Sequence, residues 1–266
     1  MRFENLFDLK QAFKTNILVS GANSSGKTRL SCGIVSMLHK LGYRVLAFDV
    51  SGVWKHVSDL PNYAKVYRIQ NSLAYPKLEG SGIYDLSTLK LSQSKAIVEE
   101  ILSELWLERA QREANEPMWL VFEEAEAYLR NIRGSTSEEV YRMVHVGRNI
   151  KARCLLITTD LALLDPSVIR LCGIRFHGFL NIEENSKRKF KSYYGKDNTR
   201  IAFEGLECGD FLRLHKRKLE PISVYEFRAR HKPKLCVHFE PKPEPEEEPI
   251  FNKRLGWKDI IKSILT

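Results

Sequence analysis

The sequence predicts an α/β fold, a mostly parallel sheet with helices on both faces. Two observations carry this. First, short apolar runs alternate with stretches of helical periodicity, the pattern of strands joined by crossover helices. Second, Gly21-Ala22-Asn23-Ser24-Ser25-Gly26-Lys27-Thr28 fits the phosphate-loop pattern G-x-x-x-x-G-K-[ST]. The loop follows the apolar run Asn16–Ser20 and opens into a helical run from Arg29 to Leu41, the strand–loop–helix context the motif needs. The fold class is therefore that of a P-loop NTPase.

Each element has a local reason. Residues 1–14 read as an amphipathic lead-in, with Phe3, Leu6, Phe7, Leu9 and Phe13 apolar. The first helix ends where Gly42 suits the left-handed residue after a C-cap. Arg44–Asp49 reads as a buried strand, and Lys65–Ile69 and Ile83–Leu86 as shorter ones, separated by a loop with Pro76, Gly80 and Gly82. Leu91 to Ala114 is the longest helical pattern, with Ile97, Ile101, Leu102, Leu105 and Trp106 at three- and four-residue spacings. Pro117 introduces the strand Met118–Phe122. Loop residues Gly134–Ser137 precede a helix reaching Asn149, and Arg153–Thr159 is another buried strand. Asp165-Pro166 reads as a helix start, Asp as N-cap and Pro at the first helical position. Residues 1–230 thus form the P-loop domain. Residues 231–249, with Pro241-Lys242-Pro243-Glu244-Pro245 and the acidic run to Pro249, form an extended charged linker. Residues 250–266 form a short helix, with Leu255, Trp257, Ile260, Ile261 and Ile264 apolar, that must dock on this protein or on a partner.

Composition narrows the function classes. No run of 18 or more apolar residues occurs, so no transmembrane helix is expected. The start, Met1-Arg2-Phe3-Glu4-Asn5, lacks a signal core, which points to the cytoplasm. The 5 cysteines are scattered without a C-x-x-C pair, which disfavours zinc and structural disulfides. The net charge of +9 favours polyanions, nucleic acid or anionic lipid. Basic residues cluster at Lys187-Arg188-Lys189 with Lys191, at His215–Lys218 and from Arg228 to Lys234, although a solvated surface gives the same pattern.

The loop chemistry suits ATP with Mg2+. Glycines let backbone N–H groups turn toward a polyphosphate, and the helix start adds a positive dipole end. The expected nucleotide-binding set is Gly21, Ala22, Asn23, Ser24, Ser25, Gly26, Lys27, Thr28 and Arg29. Lys27 reaches the β- and γ-phosphates, and the Thr28 hydroxyl holds the metal. The strand Trp119–Phe122 ends in Glu123-Glu124: Glu123 is expected to support Mg2+ and Glu124 to activate water. The alternative is a solvated helix start over Glu123–Glu126. Thr159 or Asp160, at the tip of the next strand, is a candidate sensor of the γ-phosphate, and Arg148 a candidate arginine finger toward a neighbouring subunit, or else a structural ion pair.

Together these residues resemble the HerA/FtsK superfamily of hexameric DNA-pumping ATPases, over roughly residues 13 to 226. Gly21–Thr28 corresponds to its Walker A. Asp49-Val50-Ser51-Gly52-Val53-Trp54 resembles its acidic-Gly-aromatic segment, and Ile83–Ser87 the short strand that follows. Glu123-Glu124 stand where the family usually carries Asp-Glu. Gly147-Arg148-Asn149 through Thr159 resembles its G-R-x…A-T-Q segment, with Asp160 where Gln is usual. Leu206, Gly209-Asp210-Phe211 and Pro221 resemble its closing strands. The resemblance implies a RecA-like sheet of the ASCE type and a homo-oligomeric ring, often a hexamer, cleaving ATP at subunit interfaces with double-stranded DNA in the pore. The chain's size resembles that of genome-packaging ATPases of tailless viruses with internal membranes, which would place it in the host cytoplasm or with the virion. A capsid or membrane-protein partner would then be met through the tail. Arg130 and Arg133, or Trp54, Lys55 and His56, are candidates for gripping DNA phosphates. Rival readings are a HerA-like DNA-processing motor, a conjugation or secretion motor, a P-loop small-molecule kinase, and an assembly protein that uses ATP only to lock a ring.

Overall fold

The computed structural model describes residues 13–54, 65–69, 80–111, 116–130, 136–180, 184–215 and 218–223, all within the unit Met1–His231. Most of the lead-in, the linker 231–249, the helix 250–266, and Lys55, His56 and Arg133 lie outside the described residues. In chain order the elements are β1 (Asn16–Ser20), α1 (Lys27–Lys40), β2 (Arg44–Asp49), β3 (Lys65–Arg68), β4 (Gly82–Asp85), α2 (Leu91–Gln111) and β5 (Met118–Phe122). Then come α3 (Glu138–Val146), β6 (Ala152–Thr158), α4 (Pro166–Leu171), β7 (Cys172–His177), α5 (Glu184–Arg200), β8 (Asp210–His215) and β9 (Lys218–Ser223).

The described strands form one sheet of order β3-β4-β2-β5-β6-β1-β7-β8-β9. Pairing is parallel from β3 through β7 and antiparallel from β7 to β9. The P-loop strand β1 lies between β6 and β7, and β6 separates it from the acid-bearing β5.

The central strands are apolar through most of their length because both faces are covered. Successive side chains alternate between faces. Leu18, Leu46, Phe48, Leu120, Phe122 and Leu156 pack with Ile97, Val98, Ile101, Leu102 and Leu105 of α2, with Val140, Met143 and Val144 of α3, and with Phe190 of α5. Ile17, Val19, Val45, Ala47, Val121, Leu155 and Ile157 pack with Leu30, Ile34, Val35 and Leu38 of α1. The side chain of Asn16 fixes the start of β1, accepting from the Cys154 N–H at 3.0 Å and donating to the Val144 carbonyl at 2.9 Å.

Local signals hold at several ends. Gly42 takes φ 81° after α1, and Asp165 caps α4 by accepting from the Ser167 N–H at 2.7 Å, with Pro166 next. The helix expected to reach Asn149 stops at Val146, and Gly147–Ile150 tightens into a 3-10 turn. Lys151 then reverses the chain at φ 52° into β6, leaving no room for another α-helical turn. The residue periodicity did not reveal β7 or α5. β7 carries an exposed Gly173 and a half-buried Arg175, so it has no continuous apolar run. α5 is strongly polar and breaks at Gly195, where φ is 81°.

Leu120 is fully buried between these layers. Leu120→Ala is expected to destabilise the fold by about 3 kcal/mol through lost burial and the cavity left behind, measured by urea denaturation.

Candidate nucleotide and metal site

The carboxyl ends of the parallel strands place the P-loop, the acid pair after β5 and the turn after β6 on one edge of the sheet, where ligands of such folds bind. The loop Gly21–Gly26 turns tightly there. Ser24 and Gly26 take positive φ, 65° and 95°, and the Ser25 N–H donates to the Ala22 carbonyl at 3.1 Å. The loop floor is closely packed: a Cβ added to Gly178 would come within 3.0 Å of Phe211 and 3.1 Å of Ser25. The Gly209 N–H donates to the Ser25 carbonyl at 2.9 Å, holding β8 against the loop. α1 starts at Gly26 with no side-chain cap and no acid in its first turn, while Lys27 and Arg29 stand there instead. Donors and basic residues at the positive dipole end suit an anion. The Ser25 hydroxyl is buried without a partner in the same loop. Lys27 is 7% exposed and its ammonium donates to the Ala22 carbonyl at 2.9 Å. Burial pushes its pKa down, and Glu124, Glu123 and Glu126, in that order, push it back up.

The acids are mostly buried. Glu123 is 3% exposed, its N–H donating to the Phe48 carbonyl at 3.2 Å and its Oε2 accepting from the Trp54 indole Nε1–H at 2.7 Å. Burial raises its pKa to about 7, opposed by that indole and by Lys27, and aided by Asp49 and Glu126. Glu124 sits in the left-handed region at φ 50°, an uncommon backbone state for a non-glycine residue. Burial and then Glu126 push its carboxyl to about 8. Glu126 is 6% exposed; its Oε1 accepts from the Thr159 N–H at 3.1 Å and from the Thr159 hydroxyl, while its Oε2 is buried without a partner. The solvated-helix alternative for Glu123–Glu126 therefore fails, since Glu123, Ala125 and Glu126 are buried and Glu124 is half-buried.

Among the described residues no group of three or more His, Cys, Asp or Glu is arranged to hold a metal by itself. A hard cation completed by phosphate oxygens and water needs only one or two protein oxygens. The Thr28 hydroxyl and the desolvated Glu123 carboxylate fit that role.

The other candidates are distributed differently. Thr159 is joined to Glu126, whereas the Asp160 carboxylate accepts from the Ala162 N–H at 2.7 Å and the Ser186 hydroxyl at 2.6 Å, holding the turn to α5. Arg148 is exposed in the turn before β6, at the opposite end of the sheet from the P-loop. With β6 spanning 7 residues, about 20 Å of strand separates the two ends. The geometry does not bring Arg148 to this chain's own site. Arg130 is exposed beside the same edge, in a bridge with Leu164. Trp54 is no surface grip, being fully buried with its N–H on Glu123. Lys189 is spent on the Ala162 and Leu164 carbonyls, so the basic run on α5 is partly structural.

Sequence reading missed the roles of Glu126 and Asp49. The acid run held a signal for the first. The Asp-x-Ser-Gly spacing, which favours a side-chain-capped turn, held one for the second. It also missed His177, whose Nδ1 pairs with the Ser20 hydroxyl at 2.7 Å and Nε2 with the Tyr194 hydroxyl at 2.9 Å. A lone histidine carries no sequence signal.

A phosphate loop after β1, an acid pair after β5 and a mostly parallel sheet define the P-loop NTPase fold. Solved structures share this fold. The genome packaging NTPase B204 from Sulfolobus turreted icosahedral virus 2, in complex with ATP-gammaS, is similar at TM-score 0.58 and 13% identity, over 78% of this chain and 95% of that one. VirB4 of Thermoanaerobacter pseudethanolicus is similar at TM-score 0.59 and 10% identity, over 80% and 91%. The pCW3 conjugation coupling protein TcpA matches at TM-score 0.52 and 14% identity, over 79% of this chain and 59% of that one. At these identities the likeness is one of fold. No protein-family model and no curated protein matches the sequence.

The raised carboxyl of Glu123 makes stability depend on pH. Its folded-state value of about 7 lies above the ordinary 4.5, so its contribution is full below about pH 4.5 and is lost as pH rises through 7. Glu123→Gln stays neutral and is expected to gain on wild type by on the order of 2–3 kcal/mol between pH 5 and pH 8, read from urea denaturation of both proteins without ligand.

Proposed function

We propose that this chain is an ATPase motor that moves double-stranded DNA, acting as a hexameric ring, in genome packaging. One observation carries the reading: a buried glutamate, Glu123, and its half-buried neighbour Glu124 at the end of β5 stand against a buried lysine at an uncapped helix start. Lys27 and the N–H groups at the start of α1, within the loop Gly21–Arg29, bind the phosphates of ATP, while the N–H groups of Gly21, Ala22 and Ser25 hold the loop in shape. Mg2+, held by Thr28 and Glu123, would neutralise phosphate charge. Glu124 orients and deprotonates the attacking water, and its value of about 8 is near the range a general base needs. Thr159, joined to Glu126, senses the γ-phosphate more directly than Asp160, which secures the turn to α5. Arg148 serves a neighbouring subunit's site.

The net charge of +9 supports a polyanionic cargo. Arg130 beside the site edge and exposed Arg188, Lys191, Lys196 and Arg200 on α5 give phosphates surfaces to meet. B204 is a genome packaging NTPase, which favours packaging for this chain. TcpA is a conjugation coupling protein, so a conjugation motor is the second reading. No described helix is long and apolar enough to cross a membrane. The tail, residues 231–266, is the segment we assign to a capsid or membrane-protein partner, with action in the host cytoplasm or at the virion.

Lys27→Ala is expected to abolish ATP turnover. Glu124→Gln is expected to bind ATP normally yet lose roughly 100-fold or more in kcat; near-normal turnover would remove Glu124 from its role. Steady-state ATPase assays with and without double-stranded DNA test the motor reading, since a small-molecule kinase would show no DNA stimulation. DNA affinity should fall steeply between about 50 and 200 mM salt, and a flat response would argue against a phosphate-gripping ring.

A further inference from the structure

β2 and β5 are parallel neighbours in the register Phe48↔Phe122, so Asp49 and Glu123 emerge side by side at the site edge. Asp49 is fully buried and Glu123 is 3% exposed. Two carboxylates so placed repel one another, and each needs donors to stay ionised in a dry setting. One residue serves both. The Trp54 backbone N–H donates to Asp49 Oδ2 at 2.7 Å, and its indole Nε1–H donates to Glu123 Oε2 at 2.7 Å. Asp49 holds the intervening turn shut through Oδ1, which accepts from the Ser51 N–H and hydroxyl, both at 3.0 Å, and from the Gly52 N–H at 2.8 Å. Gly52 takes φ 72°, and a Cβ there would come within 2.9 Å of the Ser87 hydroxyl, so the turn has one compact form.

We infer that Trp54 is a positioning residue for the metal: its indole N–H, locked by the Asp49 turn, fixes the Glu123 carboxylate so that Oε1 faces a divalent cation bound with the nucleotide. The inference rests on the nucleotide-site reading proposed above. A fully buried indole has one donor to give, and here it goes to the carboxylate that ends β5. With Oε2 so occupied, Oε1 has no hydrogen-bond partner among the described residues. A partner behind a ligating carboxylate sets its orientation and its basicity. Phe at position 54 would fill most of the space and lack the donor.

The test is Mn2+ binding by electron paramagnetic resonance to the full chain with a non-hydrolysable ATP analogue, across pH 6–8. Trp54→Phe is expected to weaken Mn2+ by about tenfold or more, while analogue binding in EDTA stays unchanged. The pH at which Mn2+ affinity rises should move upward, because the lost donor favours the ionised carboxylate; a packing defect alone would not shift it. Adding Trp54→Phe to Glu123→Gln should weaken Mn2+ no further. Wild-type Mn2+ affinity and pH dependence in Trp54→Phe would overturn the inference and leave the nucleotide site standing. A full chain that binds no nucleotide would overturn both. Should Trp54→Phe fail to fold, the indole Nε1–H resonances of wild type and Glu123→Gln decide: one of them must shift with the substitution, and unchanged indole spectra sink the inference.

Discussion

Four carboxylates, those of Asp49, Glu123, Glu124 and Glu126, converge beyond β2 and β5 and meet one buried ammonium, that of Lys27. That imbalance of charge in a poorly hydrated edge is the constraint from which the rest of the site follows. A buried carboxylate is tolerated only when it is given donors, paired or protonated. The chain does all three in part. Asp49 receives backbone and hydroxyl donors from its own turn, Glu123 receives the Trp54 indole, and Glu126 receives Thr159. Glu123 and Glu124 nonetheless stay well above the ordinary carboxylate range. A polyphosphate-bound cation would relieve this charge, and the uncapped start of α1 supplies the opposite field for the phosphates themselves.

The sheet order turns that charge cluster into a site. β6 lies between β1 and β5, so its exit turn passes between the P-loop and the acid pair, and Thr159 reaches Glu126. The same turn is tied to α5 through Ser186 on Asp160 and Lys189 on the Ala162 and Leu164 carbonyls. Farther along, Tyr194 of α5 meets His177, whose other ring nitrogen meets Ser20, the residue before Gly21. Burial and then Arg175 hold His177 down at about 3, so the ring is neutral and donates through one nitrogen only. α5 is thus fastened both to the turn after β6 and to the end of the P-loop strand.

The fold and half of the site were legible because their signals are local. A phosphate loop is a run of adjacent residues with fixed backbone demands, so Gly21 to Thr28 declare themselves. Strands buried on both faces carry nearly continuous apolar runs, so β1, β2, β5 and β6 stand out. Asp165-Pro166 and Gly42 mark helix ends through their own side chain or its absence. β7 and α5 escaped notice because their burial is partial and their residues polar.

The sequence alone determined that a strand, a phosphate-cradling loop and a helix follow one another, and that two adjacent glutamates end an apolar strand, since each depends on neighbours in the chain. Tertiary structure alone decided what those glutamates touch. Trp54 is a buried donor to Glu123 instead of a surface grip because β2 pairs with β5; Asp160 turns to α5 while Thr159 turns to Glu126; and Arg148 lies at the far end of the sheet. Hydrogen bonds between residues far apart in sequence are set by strand order and register, which no local pattern encodes.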